Sequence, residues 1–174
     1  MEDEYNNIKV VFLGEGYVGK TCLISRYTSG DFDDHNGTTS ASYATKKINF
    51  KGKDYYFDIW DTSGYESFRS LTKIFINNSK IIVLVYDITQ KKSFLELDYW
   101  LDTVLKLLGS GVFLILVGNK SDLFLDEEIR EEDARKFAKL INAKFILASA
   151  KENYLGWNED FEKALKDYID NKQL

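Results

Sequence analysis

Gly14-Glu15-Gly16-Tyr17-Val18-Gly19-Lys20-Thr21 reads G-x-x-x-x-G-K-T directly after a short apolar run. Between a strand and a helix, that spacing builds a phosphate cradle. The glycines let backbone N–H groups turn inward around an anion. Lys20 offers an ammonium to the outer phosphates, and the Thr21 hydroxyl suits Mg2+. A helix opening near Gly19 points its positive end at the same place. Residues Gly14, Gly16, Tyr17, Val18, Gly19, Lys20, Thr21 and Cys22 are therefore the candidate phosphate side of a site. The competing reading is a glycine turn with a chance lysine, and it is the weaker one in this context. The loop indicates a nucleoside triphosphate or similar ligand, but not which base.

Two further polar stretches follow apolar runs: Asn119-Lys120-Ser121-Asp122 and Ser149-Ala150-Lys151. A carboxylate at Asp122 can accept two parallel hydrogen bonds from N1–H and the 2-amino group of guanine. Adenine offers no such pair and would leave the carboxylate unsatisfied. The aliphatic stem of Lys120 can lie across the plane of a base. Alone, Asn-Lys-Ser-Asp is an ordinary polar turn. Its place after an apolar run, downstream of the phosphate loop, gives it meaning.

The elements that must position these groups are legible. Near-continuous apolar runs at Ile8-Lys9-Val10-Val11-Phe12-Leu13, Ile81-Ile82-Val83-Leu84-Val85-Tyr86, Val112-Phe113-Leu114-Ile115-Leu116-Val117 and Phe145-Ile146-Leu147 suit strands covered on both faces. Helical stripes lie between and after them. One joins Phe94, Leu97, Leu101, Val104, Leu105 and Leu108. Another joins Ala134, Phe137, Ala138 and Ile141, and a last one Trp157, Phe161, Leu165, Tyr168 and Ile169. Two strand-like segments flank Lys51-Gly52-Lys53-Asp54, a hairpin signal. This alternation predicts an α/β fold: a mostly parallel six-stranded sheet, one antiparallel hairpin strand, and helices on both faces. Ligands in such sheets gather at the carboxyl ends of the strands, where the motifs lie. One domain spanning residues 1–174 is expected.

The formal net charge of −5 does not favour a nucleic-acid partner. A single cysteine, Cys22, forms no intrachain disulfide and suits a reducing, intracellular compartment. No secretory pattern opens the chain, and no apolar run is long enough to cross a bilayer. No C-terminal prenylation cysteine is visible, so membrane attachment is expected only if a lipidated tail follows residue 174. The acidic stretch 126–133 reads as a solvated helix start, and the lone His35 as a solvated loop residue.

Together, Gly14 to Thr21, Asp61-Thr62-Ser63-Gly64, Asn119-Lys120-Ser121-Asp122 and Ser149-Ala150-Lys151 resemble the motif set of small GTPases of the Ras superfamily, over about residues 6–170. Trp60 before Asp61, the run Ser67-Phe68-Arg69-Ser70-Leu71-Thr72, and Ser93-Phe94 followed by Trp100-Leu101 resemble the Rab branch. The resemblance implies a GTP-binding, GTP-hydrolysing switch that recruits effectors in membrane trafficking. It further implies an exchange factor, an activating protein and Mg2+. Switch I spans about residues 31–42 and switch II about residues 61–75. Thr21 and Asp61 would serve the metal, together with a switch I threonine. The Thr-x-x-Ala-Ser-aromatic run favours Thr38 over Thr39 for that role. Gly64 would offer its N–H to the γ-phosphate, and Phe32 would meet the base edge opposite Lys120. The effector-reading aromatic triad falls on Tyr43, Trp60 and Phe75, for each of which plain core packing is an equal reading.

The chain departs from the family at Tyr65, where a glutamine normally orients the attacking water. A phenol cannot present a carbonyl and an N–H together. Slow hydrolysis is therefore expected, with Lys20, Thr38, Gly64 and Tyr65 as the catalytic set. The alternatives are a Tyr65 that faces solvent while an activator supplies the missing group, and a non-hydrolysing scaffold. A P-loop ATPase or kinase is disfavoured by Asp122. Tyr17 stands where the family is small, and is expected to point outward.

Overall fold

The computed structural model describes residues 7–32, 41–152 and 156–172. Six strands form one sheet: β1 (Asn7–Leu13), β2 (Ser42–Phe50), β3 (Lys53–Asp61), β4 (Ile81–Asp87), β5 (Phe113–Asn119) and β6 (Lys144–Leu147). Their order is β2-β3-β1-β4-β5-β6. Only β2 runs antiparallel, joined to β3 in register from Ser42 opposite Asp61 to Phe50 opposite Lys53. The hairpin closes on two residues with positive φ, Lys51 at 52° and Gly52 at 79°. That is the twist-matched two-residue turn. As the outer strand, β2 carries Lys46 and Lys47, charges that discourage a foreign strand from pairing there.

Period-two alternation divides the core between the two faces of the sheet. Val10, Phe12, Val83 and Val85 face one cluster, built with α1 (Lys20–Thr28) and α6 (Trp157–Lys172). There the rings of Trp157 and Phe161 stack at 4.7 Å, and Trp157 Nε1 donates to the Leu23 carbonyl at 2.9 Å. Val11, Leu13, Ile82 and Leu84 face the other cluster. It is closed by α2 (Arg69–Ile76), α3 (Lys91–Leu95), α4 (Leu97–Leu108) and α5 (Glu131–Leu140). Fully burying each large apolar side chain contributes about 1.5–3 kcal/mol, so the two layers together fix the strand ends against one another.

The helical stripe from Phe94 to Leu108 is not one helix: it breaks at Glu96 between α3 and α4. The helix α2, which periodicity alone did not set apart, packs against α4. The acidic stretch opens α5, with Glu131, Glu132 and Asp133 in its first turn. Among the described residues, no helix is long and apolar enough to cross a membrane. His35, Thr38 and Thr39 lie outside the described residues.

Candidate functional site

The segments that follow β1, β3, β5 and β6 open at one edge of the sheet. There Gly16, Tyr17, Gly19, Lys20, Thr21, Cys22, Phe32, Gly64, Tyr65, Asn119, Lys120, Asp122, Leu123, Ala150 and Lys151 line a single cleft of about 290 Å³. The phosphate-side and base-side candidates, 101 positions apart at Val18 and Asn119, thus meet.

On the phosphate side, α1 begins after Gly19, whose φ of 95° is left-handed. A Cβ there would collide with the Asn119 amide, so both conformation and space demand glycine. Gly19 at the N-cap has no side chain to cap the first turn of α1, and Lys20, Thr21 and Cys22 of that turn line the cleft. Lys20 is 5 % exposed, and its ammonium donates to the carbonyls of Gly14 and Glu15, both at 2.8 Å. Burial pushes its pKa down to about 8, with the Asp61 and Glu15 carboxylates opposing. Thr21 Oγ1 donates to Asp61 Oδ2 at 2.6 Å, bringing a hydroxyl and a buried carboxylate to one point. Hard oxygen donors of this kind suit Mg2+, which retains waters and needs few protein ligands. Among the described residues no cluster of three His, Cys, Asp or Glu side chains forms a metal cage.

From the β3 end, Gly64 lies so near the phosphate loop that a Cβ would collide with the backbone of Glu15 and Gly16. The next residue, Tyr65, is half-buried at the mouth of the cleft, and its hydroxyl donates to the Tyr17 hydroxyl at 2.7 Å, a contact open to solvent. This hydrogen bond holds the Tyr65 phenol above its ordinary range, so it is neutral at physiological pH. Tyr17 is 60 % exposed, in keeping with an outward side chain, yet its tip returns to Tyr65.

On the base side, Asn119 Nδ2 donates to the Val18 carbonyl at 2.8 Å, and Asn119 Oδ1 accepts from the Ala150 N–H at 3.2 Å. The fully buried Ser149 donates to Asp122 Oδ1 at 2.6 Å and accepts from the Glu152 N–H. Lys120 adopts a left-handed backbone, φ 65°, and its ammonium pairs with Asp87 Oδ2 at 2.7 Å. Phe32 lines the same cleft, beside the Arg26 guanidinium, whose Cζ is 5.9 Å from the ring centroid. Arg26 also grips the carbonyls of Ala150 and Lys151 at 2.9 and 3.1 Å.

Away from the cleft, the three aromatics form one row. Tyr43 stacks on Trp60 with centroids 5.1 Å apart, and Phe75 lies tilted against the Trp60 ring at 5.3 Å. Tyr43 is 64 % exposed, so the row reaches the surface and is more than core.

Sequence reading missed four contacts: Asp87 behind Lys120, Arg26 behind the Ala150 loop, the Tyr17–Tyr65 bond, and Arg69, which bridges Glu15 and Glu96 at 2.6 and 2.8 Å. The only signal in the sequence was an unusual residue type, at Tyr17 and Tyr65. The others join segments whose proximity the topology alone creates.

A mostly parallel six-stranded sheet with a G-x-x-x-x-G-K-T loop between β1 and α1 is the P-loop small-GTPase fold. Comparison with known sequences narrows the class. The Ras family model matches residues 9–170. Ras-related protein Rab-21 of Bos taurus is 41 % identical over 169 residues, covering 97 % of this chain and 76 % of that protein. Its Homo sapiens counterpart is 41 % identical, covering 97 % and 75 %. The Mus musculus counterpart is 40 % identical, covering 97 % and 76 %. The chain belongs to the Ras family, as a Rab-like GTP-binding and GTP-hydrolysing switch of the class that works in membrane trafficking.

Proposed function

We propose that this is a slow GTPase, held near its GTP state until an activating protein acts on it, and that it recruits effectors through its switches. The observation that carries the reading is Tyr65. It follows Gly64 where the family's water-orienting glutamine stands, and its phenol is committed to Tyr17. A neutral phenol in that bond neither accepts the proton of a water nor aligns it as an amide does.

The other residues take roles consistent with their places. Gly14, Gly16, Tyr17, Val18, Gly19, Lys20, Thr21 and Cys22 surround the phosphates. The buried Lys20 ammonium gains the anionic partner that its desolvation calls for. Thr21 and Asp61, with Thr38, hold Mg2+, which screens the phosphate charge. Asp122 reads guanine, steadied by Ser149, while Lys120 and Phe32 flank the base and Asn119, Ala150 and Lys151 close the pocket. Tyr43, Trp60 and Phe75 offer the surface read by effectors. The whole of residues 1–174 acts as one G domain, inside the cell.

The test is single-turnover hydrolysis of γ-labelled GTP by the unmodified chain and by Tyr65→Gln. The glutamine variant is expected to be faster by about tenfold or more. Equal rates would sink the assignment to Tyr65. If neither protein turns over even with an activating protein, the second reading, a GTP-bound scaffold, takes its place; the committed Tyr65 phenol is what favours that reading.

A further inference from the structure

We infer that Tyr17 is a positioning residue for Tyr65, and that the two phenols form a bridge across Gly16 that retains the nucleotide. The inference rests on the cleft being the guanine-nucleotide site. Tyr17 is held at φ 64°, a left-handed conformation uncommon for a bulky side chain. Such a backbone persists where the surroundings favour it. Here it turns the ring toward switch II: the two rings meet edge to face, 5.7 Å apart at 88°, and the hydroxyls bond at 2.7 Å.

The bridge passes over the phosphate loop itself. A Cβ on Gly16 would lie 3.7 Å from Tyr65 Cδ1 and Cε1, so the ring covers that residue. On the other side of Gly16, Glu15 pairs with Arg69, one helical turn beyond Tyr65. Switch II is thereby fastened to the loop at two points flanking Gly16, and neither point uses a group of the ligand. Both tyrosines line the same cleft as Lys20 and Thr21. On this inference, a nucleotide whose phosphates occupy the cradle lies against the bridge and leaves faster when the bridge opens. Tyr17 acts through Tyr65: without its hydroxyl, the second phenol loses the hydrogen bond that holds it over Gly16 and swings more freely.

The experiment is a double-mutant cycle on release of a fluorescent GDP, using Tyr17→Phe, Tyr65→Phe and the double variant. Phenylalanine keeps each ring and removes only the hydroxyl, and melting curves check that all four proteins fold alike. Each single variant is expected to release GDP about threefold to tenfold faster, the worth of one neutral hydrogen bond. The double variant is expected to match the singles, because either change breaks the same bond. A purely structural role for Tyr17 would give effects that multiply in the double variant. That result, or Tyr17→Phe releasing GDP at the unmodified rate, overturns the inference while leaving the GTPase reading intact. A chain that binds no guanine nucleotide at all overturns both.

Discussion

Asn119 ties the base side of the cleft to the phosphate side: its Nδ2 donates to the Val18 carbonyl at 2.8 Å. Its Oδ1 simultaneously accepts from Ala150, so one amide, 2 % exposed, closes three loops on one another. Asn119→Ala would leave a buried carbonyl and a buried N–H without partners. Each orphaned group costs ~1–3 kcal/mol. The expected outcome is a lower urea midpoint for the nucleotide-free protein together with weaker GDP binding. A variant that lost GDP affinity at unchanged stability would show that Asn119 acts on the ligand alone and not as a clasp.

Ser149 lies behind Asp122, and its 2.6 Å bond to a carboxylate is charge-assisted. Ser149→Ala frees Asp122 to rotate away from a guanine edge. GDP affinity is expected to fall about tenfold, the equivalent of one such bond. Titration calorimetry against GDP and ADP provides the check, since the selectivity for guanine should narrow as well. An unchanged GDP-to-ADP ratio would mean that Asp122 keeps its orientation without Ser149.

The fold was readable because its signals are local. The apolar run from Ile81 to Tyr86 declares a strand covered on both faces, which the structure buries throughout, and Lys51-Gly52-Lys53-Asp54 declares the hairpin. The motif residues were readable for a related reason: each follows an apolar run, and parallel sheets put those positions at one edge. What stayed hidden depends on side chains arriving from distant segments. Arg26 reaches the Ala150 carbonyl across 124 positions, and Lys120 meets Asp87 only because β4 and β5 are neighbours. The break at Glu96 was hidden because Phe94, Leu97 and Leu101 keep a helical spacing through it. The odd identities at 17 and 65 were visible; their mutual bond was not, because it needs the left-handed backbone at Tyr17.

Arg69 is the second link between switch II and the phosphate loop. One of its terminal nitrogens reaches both Glu15 and Glu96, and its Cζ lies 4.3 Å from the centroid of the Tyr99 ring. Arg69→Ala removes the cation between two carboxylates that are themselves partly shielded from water. Because the site is not fully buried, the expected loss is about 1–3 kcal/mol, below that for breaking a fully buried pair. Arg69→Lys should restore only part of it, since an ammonium lacks the planar face that stacks on Tyr99. Thermal melts of the three proteins read this directly, and full rescue by lysine would reduce the contact to a simple charge pair.

Trp60 reports on both switches at once. It immediately precedes Asp61, stacks on Tyr43 just beyond switch I, and contacts Phe75 near the end of α2. The other two tryptophans, Trp100 and Trp157, are 0 % and 1 % exposed and belong to opposite faces of the core. A change at the γ-phosphate that moves either switch must therefore alter the surroundings of Trp60 most, while Trp100 meets switch II only at its edge, where the Arg69 Cζ lies 5.7 Å from its ring centroid, and Trp157 packs in the other core layer. Replacing GDP with a non-hydrolysable GTP analogue is expected to shift the tryptophan emission of the unmodified chain. In Trp60→Phe most of the shift should be lost, although an aromatic ring is kept in the row and nucleotide binding continues. A shift that survives at full size in Trp60→Phe would place the reporting change at Trp100, beside Arg69, or at Trp157, and not in the aromatic row.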